Sequence, residues 1–156
     1  VLALVDSDGA TYAEAKTDNP EHLLEAINKA SEYWVDREII WSQSLTGGLS
    51  AAKERERLVM LAFTNNEKES KDALKAMESK VVGKYHNSLQ FIEQALDSEA
   101  AQKFGVTAAP TFVIVHPEKA EAGKEYGKIT SSKLDEIKPM VKAALQKYRA
   151  EKEESK

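Results

Sequence analysis

Apolar and polar positions along this chain follow two rhythms. Short apolar runs read as strands, and apolar residues recurring every three or four positions read as amphipathic helices. The first run is Val1-Leu2-Ala3-Leu4-Val5; Asp6-Ser7-Asp8-Gly9 then carries turn chemistry and a second short segment spans Thr11 to Ala15, which together predict a hairpin. Asn19 is placed to cap a helix with Pro20 at its first position, Leu23, Ile27, Ala30 and Trp34 along one face, and an end near Tyr33. Ile39-Ile40-Trp41 predicts a short strand, Leu45-Thr46-Gly47-Gly48 a loop, and Leu49 to Glu56 a helix. Leu58-Val59-Met60-Leu61-Ala62-Phe63-Thr64 is apolar on both faces, which places it in the middle of a sheet.

Asn65 or Asn66 caps the next predicted helix, whose apolar stripe is Ala73, Leu74, Met77, Val81 and Tyr85. A strand over Leu89 to Ala95, a short helix over Ser98 to Phe104 and a strand over Thr111 to Val115 follow. Glu125 to Ile129 predicts a last strand, and Ser132-Lys133-Leu134-Asp135 opens a helix that turns Leu134, Ile137, Val141, Ala144, Leu145 and Tyr148 inward. Pro139 falls inside that pattern and predicts a kink or break. From Lys147 to Lys156 the charges alternate in sign, as at a solvated helix end with a frayed tail. Alternation of strands and helices is the mark of an α/β chain.

The 156 residues suffice for one sizeable core and something extra. At 42% apolar and 31% charged the composition is that of an ordinary globular domain, and no run approaches the roughly 18 apolar residues of a membrane span. A net charge of -4 with well-mixed signs argues against a nucleic-acid binder, which needs clustered cations to replace phosphate counterions. There is no cysteine. Disulfides, thiolate nucleophiles and thiolate metal sites are therefore excluded together.

Two stretches of the chain share one order. Val1 to Tyr33 reads strand, turn, strand, polar cap and amphipathic helix, and Thr111 to Tyr148 reads the same way.

From Ile39 to Val115 the succession of motifs resembles the bacterial thioredoxin-like proteins. The residues that carry the likeness are Trp41, Ala51-Ala52-Lys53, the strand ending in Phe63-Thr64, the helix from about Glu67, Gly105-Val106, and Pro110-Thr111-Phe112. The resemblance implies a thioredoxin-like α/β fold, a central mixed sheet flanked by helices, with an extra N-terminal β-β-α segment. It divides the chain into residues 1–36, similar to the end of a preceding thioredoxin-like unit, a thioredoxin-like domain at 37–150, and a charged tail at 151–156. An exported or periplasmic location is what the resemblance favours.

In that family a Cys-x-x-Cys pair opens the helix after the central strand, where the helix dipole and unpaired N–H groups lower a thiol pKa. The matching window here is Asn65-Asn66-Glu67-Lys68-Glu69-Ser70-Lys71, with Glu67 and Ser70 at the cysteine positions. Neither exchanges disulfides, and carboxylates at a helix N-terminus have an electrostatic reason of their own, worth about 0.3 to 1 kcal/mol. Ser70 as a hydrolytic nucleophile lacks a histidine nearby in sequence. Pro110 stands where the family has its cis-proline, whose neighbouring backbone pairs with extended peptides. A binding groove formed by Ala108, Ala109 and Pro110 with Asn65, Asn66, Glu67 and Ser70 survives the loss of cysteines because strand addition uses backbone hydrogen bonds.

The remaining candidates are weaker. His22, His86 and His116 lie apart without ligand spacing and read as exposed polar residues, and Asp6-Ser7-Asp8-Gly9 lacks the later acidic ligands of a calcium loop. Trp34 and Trp41 fall on apolar positions and read as packing residues. No metal or other cofactor is expected. Two functions follow: a redox-inactive module that binds another protein or a second thioredoxin-like domain, and a degenerate member of the thiol-disulfide oxidoreductase family whose catalysis comes from a neighbouring domain or partner.

Overall fold

A computed structural model describes residues 2–5, 11–15, 19–35, 39–81 and 85–155. Strands β1 (Leu2–Val5) and β2 (Thr11–Ala15) pair antiparallel as a separate two-stranded sheet, followed by helix α1 (Pro20–Val35). The turn expected at Asp6 to Gly9 lies outside the described residues. At the start of α1 the Asn19 side chain accepts from the Glu21 N–H at 2.9 Å, the cap that its position ahead of Pro20 suggests.

The main body contains helix α2 (Leu45–Glu54), strand β3 (Leu58–Thr64), helix α3 (Lys68–Val81), strand β4 (Leu89–Ala95), helix α4 (Glu99–Lys103), strands β5 (Thr111–Val115) and β6 (Glu125–Thr130), and helix α5 (Ile137–Glu154). The strands form one mixed sheet in the order β4-β3-β5-β6, with β3 parallel to β4 and antiparallel to β5. β3 is buried at every position, because pleating sends its side chains into two cores. Leu58, Met60 and Ala62 join Met77 of α3, Phe112 and Ile114 of β5, and Val141 of α5 on one face. Val59, Leu61 and Phe63 join Ala52 of α2, Ala101 of α4 and Val113 on the other. This is the mixed sheet flanked by helices that the sequence implies.

Several local expectations change. Ile39-Ile40-Trp41 is not a strand; beside it an isolated backbone bridge joins Ser42 to Ile92 of β4, with the Ser42 N–H bonded to the Phe91 carbonyl at 3.0 Å and the Glu93 N–H to the Ser42 carbonyl at 2.9 Å. Trp41 instead packs edge-on to Phe91, 5.3 Å between ring centres, which takes its side chain into the core. Helix α2 begins at Leu45, because Ser44 caps it by accepting from the Gly47 N–H at 3.0 Å. Gly48 lies buried beside Ile92, where a Cβ would overlap that side chain, so this glycine of the expected loop serves the close approach of α2 to β4.

The Gly105-Val106 pair has an equally local cause. Gly105 takes a φ of 64° just past α4, and the Val106 N–H reaches back to the Ala101 carbonyl at 2.8 Å while its side chain is buried. That is a left-handed helix stop with its accompanying apolar contact. Pro139 does not kink α5: it is the third residue of the helix, where an amide hydrogen has no intrahelical acceptor, and the break lies earlier, in a 3-10 segment over Ser131–Glu136. The expected frayed end is helical through Glu154.

Candidate functional site

The ladder between β3 and β5 ends with Phe63 opposite Thr111. Thr64 is the last residue of β3, and Pro110 immediately precedes β5. The loop after the central strand and the Ala108-Ala109-Pro110 segment therefore lie at one end of the sheet. The Ala109–Pro110 peptide is cis.

The loop is held from within. Ser70, only 1% exposed, accepts from the Asn65 N–H at 3.1 Å and donates to Asn65 Oδ1 at 2.8 Å. Asn65 Oδ1 also accepts from the Glu67 N–H at 3.1 Å. Asn65 thus cross-links the loop to the first turns of α3, with Ser70 as its buried anchor. Asn66 and Glu67 are exposed, and α3 opens immediately after them at Lys68.

On the β5 side Pro110 is buried, Ala108 is exposed, and the Ala108 carbonyl accepts from Thr111 Oγ1 at 2.7 Å. Ala109 is half-buried. Among the described residues its N–H and carbonyl have no hydrogen-bond partner.

A cleft of about 730 Å³ opens on the other flank of the loop, between α3 and the end of β4. Asn65, Asn66 and Ser70 line it together with Lys71, Leu74, Glu93, Ala95 and Asp97; Ala108, Ala109 and Pro110 do not. The sequence-derived site is thus brought to one end of the sheet but divided between two sides of a loop. Gln43 and Glu93 of this cleft escaped the sequence reading. Glu93 had a signal: it continues the alternation Leu89, Phe91, Glu93, so a carboxylate follows two core positions on the same face of β4.

The opposite end of the sheet holds a second polar cluster. His116, expected as an exposed polar residue, is half-buried between Tyr126 and Tyr148, with ring centres 6.3 and 5.0 Å away. Its Nδ1 accepts from the Glu118 N–H at 3.1 Å. Burial, helped by nearby Lys119, holds the imidazole below its ordinary pKa. Tyr126 donates its hydroxyl to Glu151, and burial followed by that bond pushes the phenol upward. Hydrogen bonds from Lys119, at 2.9 Å, and from Tyr126 hold the Glu151 carboxyl below the usual range. The helical end of α5 is thereby tied to β6 and to the segment following β5. His22 is exposed, and the side chain of His86 lies outside the described residues.

Among the described residues no group of three His, Cys, Asp or Glu side chains is placed to hold a metal ion, and no helix is long and apolar enough to cross a membrane.

This architecture, with an Ala-Pro turn facing the loop ahead of α3, is the thioredoxin fold. The germline-specific thioredoxin Deadhead of Drosophila melanogaster superposes with a TM-score of 0.52 at 14% identity, over 65% of this chain and 95% of its own. A poplar thioredoxin h mutant gives 0.52 at 20% identity, over 65% and 75%, and the thioredoxin of Trypanosoma brucei brucei 0.52 at 18%, over 70% and 93%. No family model and no curated protein matches the chain. Identities this low establish shared architecture alone. This chain differs from a dithiol thioredoxin in having no cysteine at all.

Proposed function

We propose that this chain is a thioredoxin-like module without thiol chemistry, and that it binds another protein through an extended segment laid beside Ala108 and Ala109. Ala109 carries the reading. Its main-chain donor and acceptor lack partners among the described residues, it is partly open to solvent, and it lies at the same end of the sheet as the Asn65 loop. A buried backbone amide without a partner is costly, so such groups persist where water or a ligand satisfies them. An extended peptide bonding to Ala109 and running past the Asn65 to Glu67 loop would add a short strand to that edge. Nothing in this contact requires sulfur.

The test uses peptides selected against the chain from a random display library, followed by NMR titration. Expected shifts fall on Asn65, Asn66, Glu67, Ala108 and Ala109. Ala109→Pro removes the amide donor and is expected to weaken binding by about tenfold, the equivalent of ~1.4 kcal/mol for one hydrogen bond, with the fold checked by circular dichroism. Shifts confined to the His116 end, or undiminished affinity in the proline variant, would sink the proposal.

A further inference from the structure

We infer that β1, β2 and α1 are the closing β-β-α unit of a second thioredoxin-like domain, and that the strand and helix covering them precede β1 in the same polypeptide. The chain supplies its own comparison. In the main body the same order, β5, β6 and α5, is an antiparallel pair followed by a helix. There β5 has a second neighbour, the antiparallel strand β3, and α5 is packed into a core shared with Ala73 and Met77 of α3.

The apolar stripes of the two helices have one spacing. Leu23, Ile27, Ala30 and Trp34 repeat the intervals of Ile137, Val141, Ala144 and Tyr148. Their burial differs. Ile137 and Val141 are 0% exposed, whereas of their counterparts Leu23 is half-buried and Ile27 43% exposed, and Leu24 beside them is 60% exposed. Ala26 is buried, so the helix does have a packed side, and Leu24 and Ile27 mark apolar surface left over. Among the described residues β1 has β2 as its only strand neighbour.

Size supports the same conclusion independently. A unit of 35 residues falls below the roughly 40 at which a chain needs disulfides, metals or association to hold a fold, and an isolated hairpin is marginal in water. Without cysteine, no disulfide supplies that support.

What covers the unit follows from order and from vacancy. In the main body the covering elements, β3 and α3, come before the β-β-α unit in the chain. They are not shared, since β3 has both edges paired and α3 is packed with α5. The occupant is then an apolar strand antiparallel to β1 with an amphipathic helix against Ile27, from a unit of the same architecture. This inference stands apart from the binding segment beside Ala109.

Hydrogen exchange read by mass spectrometry tests it, comparing the 156-residue chain with the encoded polypeptide that carries it. Amides of β1 and α1 are expected to exchange at least about tenfold more slowly in the longer polypeptide. Ile27→Asp there should lower one unfolding transition and leave that of residues 39–154 in place. The inference is overturned by equal exchange in both, by the lack of any strand-helix segment ahead of β1, or by a concentration-dependent dimer of the shorter chain that protects the same amides.

Discussion

His116 shows how burial sets the behaviour of a single residue. Its ring lies between two tyrosines with Glu118, Lys119 and Glu151 nearby, and loss of solvent holds its pKa below the ordinary 6.5. The unfolded chain therefore binds a proton at a pH where the folded chain does not. Stability from this residue is complete above 6.5 and is lost as pH falls through the window down to the depressed folded value. His116→Gln is expected to flatten the decline of melting temperature between about pH 7 and 5, and the same slope in both proteins would refute the assignment. Ser70 makes a second point at this scale. Its sequence position suggested a surface contact, but its hydroxyl is spent on Asn65 inside the loop. Sequence spacing located these residues on the chain without revealing what each would face, because that depends on strands distant in sequence.

Secondary structure was legible where local chemistry and burial agree. β4 and β5 run over the residues their apolar patterns mark, and the ends of α4 follow from Ser98 and Gly105. Reading failed where a tertiary contact competed. Ile39-Ile40-Trp41 has strand-forming residues, yet Ile39 and Trp41 turn inward to the core around Phe91 and only Ser42 bridges β4. Pro139 read as a helix breaker because the start of α5 was set too early. At its observed position the missing amide hydrogen costs nothing, so Pro139→Ala should change stability by less than about 0.5 kcal/mol in urea denaturation. A loss near 3 kcal/mol, or a comparable gain, would place the proline inside a strained helix interior instead.

At the scale of the whole molecule, the buried residues of both cores, among the described residues, fall between Ile39 and Leu145. The two-stranded sheet is not part of the four-stranded one. Removing residues 1–38 should therefore leave one cooperative unfolding transition, with a melting temperature within about 5 °C of the intact chain, a shift matching roughly 1 kcal/mol. A larger fall would show that α1 supports the main body. By itself the sequence determined the succession of strands and helices, the centrality of β3 and the impossibility of thiol chemistry, because periodicity, turn residues and the inventory of side chains are properties of the linear chain. Only the tertiary structure decided that the Asn65 loop and Ala109 come to one end of the sheet, that Glu93 enters a cleft with the loop, and that His116 is enclosed by Tyr126 and Tyr148. Those juxtapositions depend on register and crossing between segments far apart in the chain, and no local pattern encodes them.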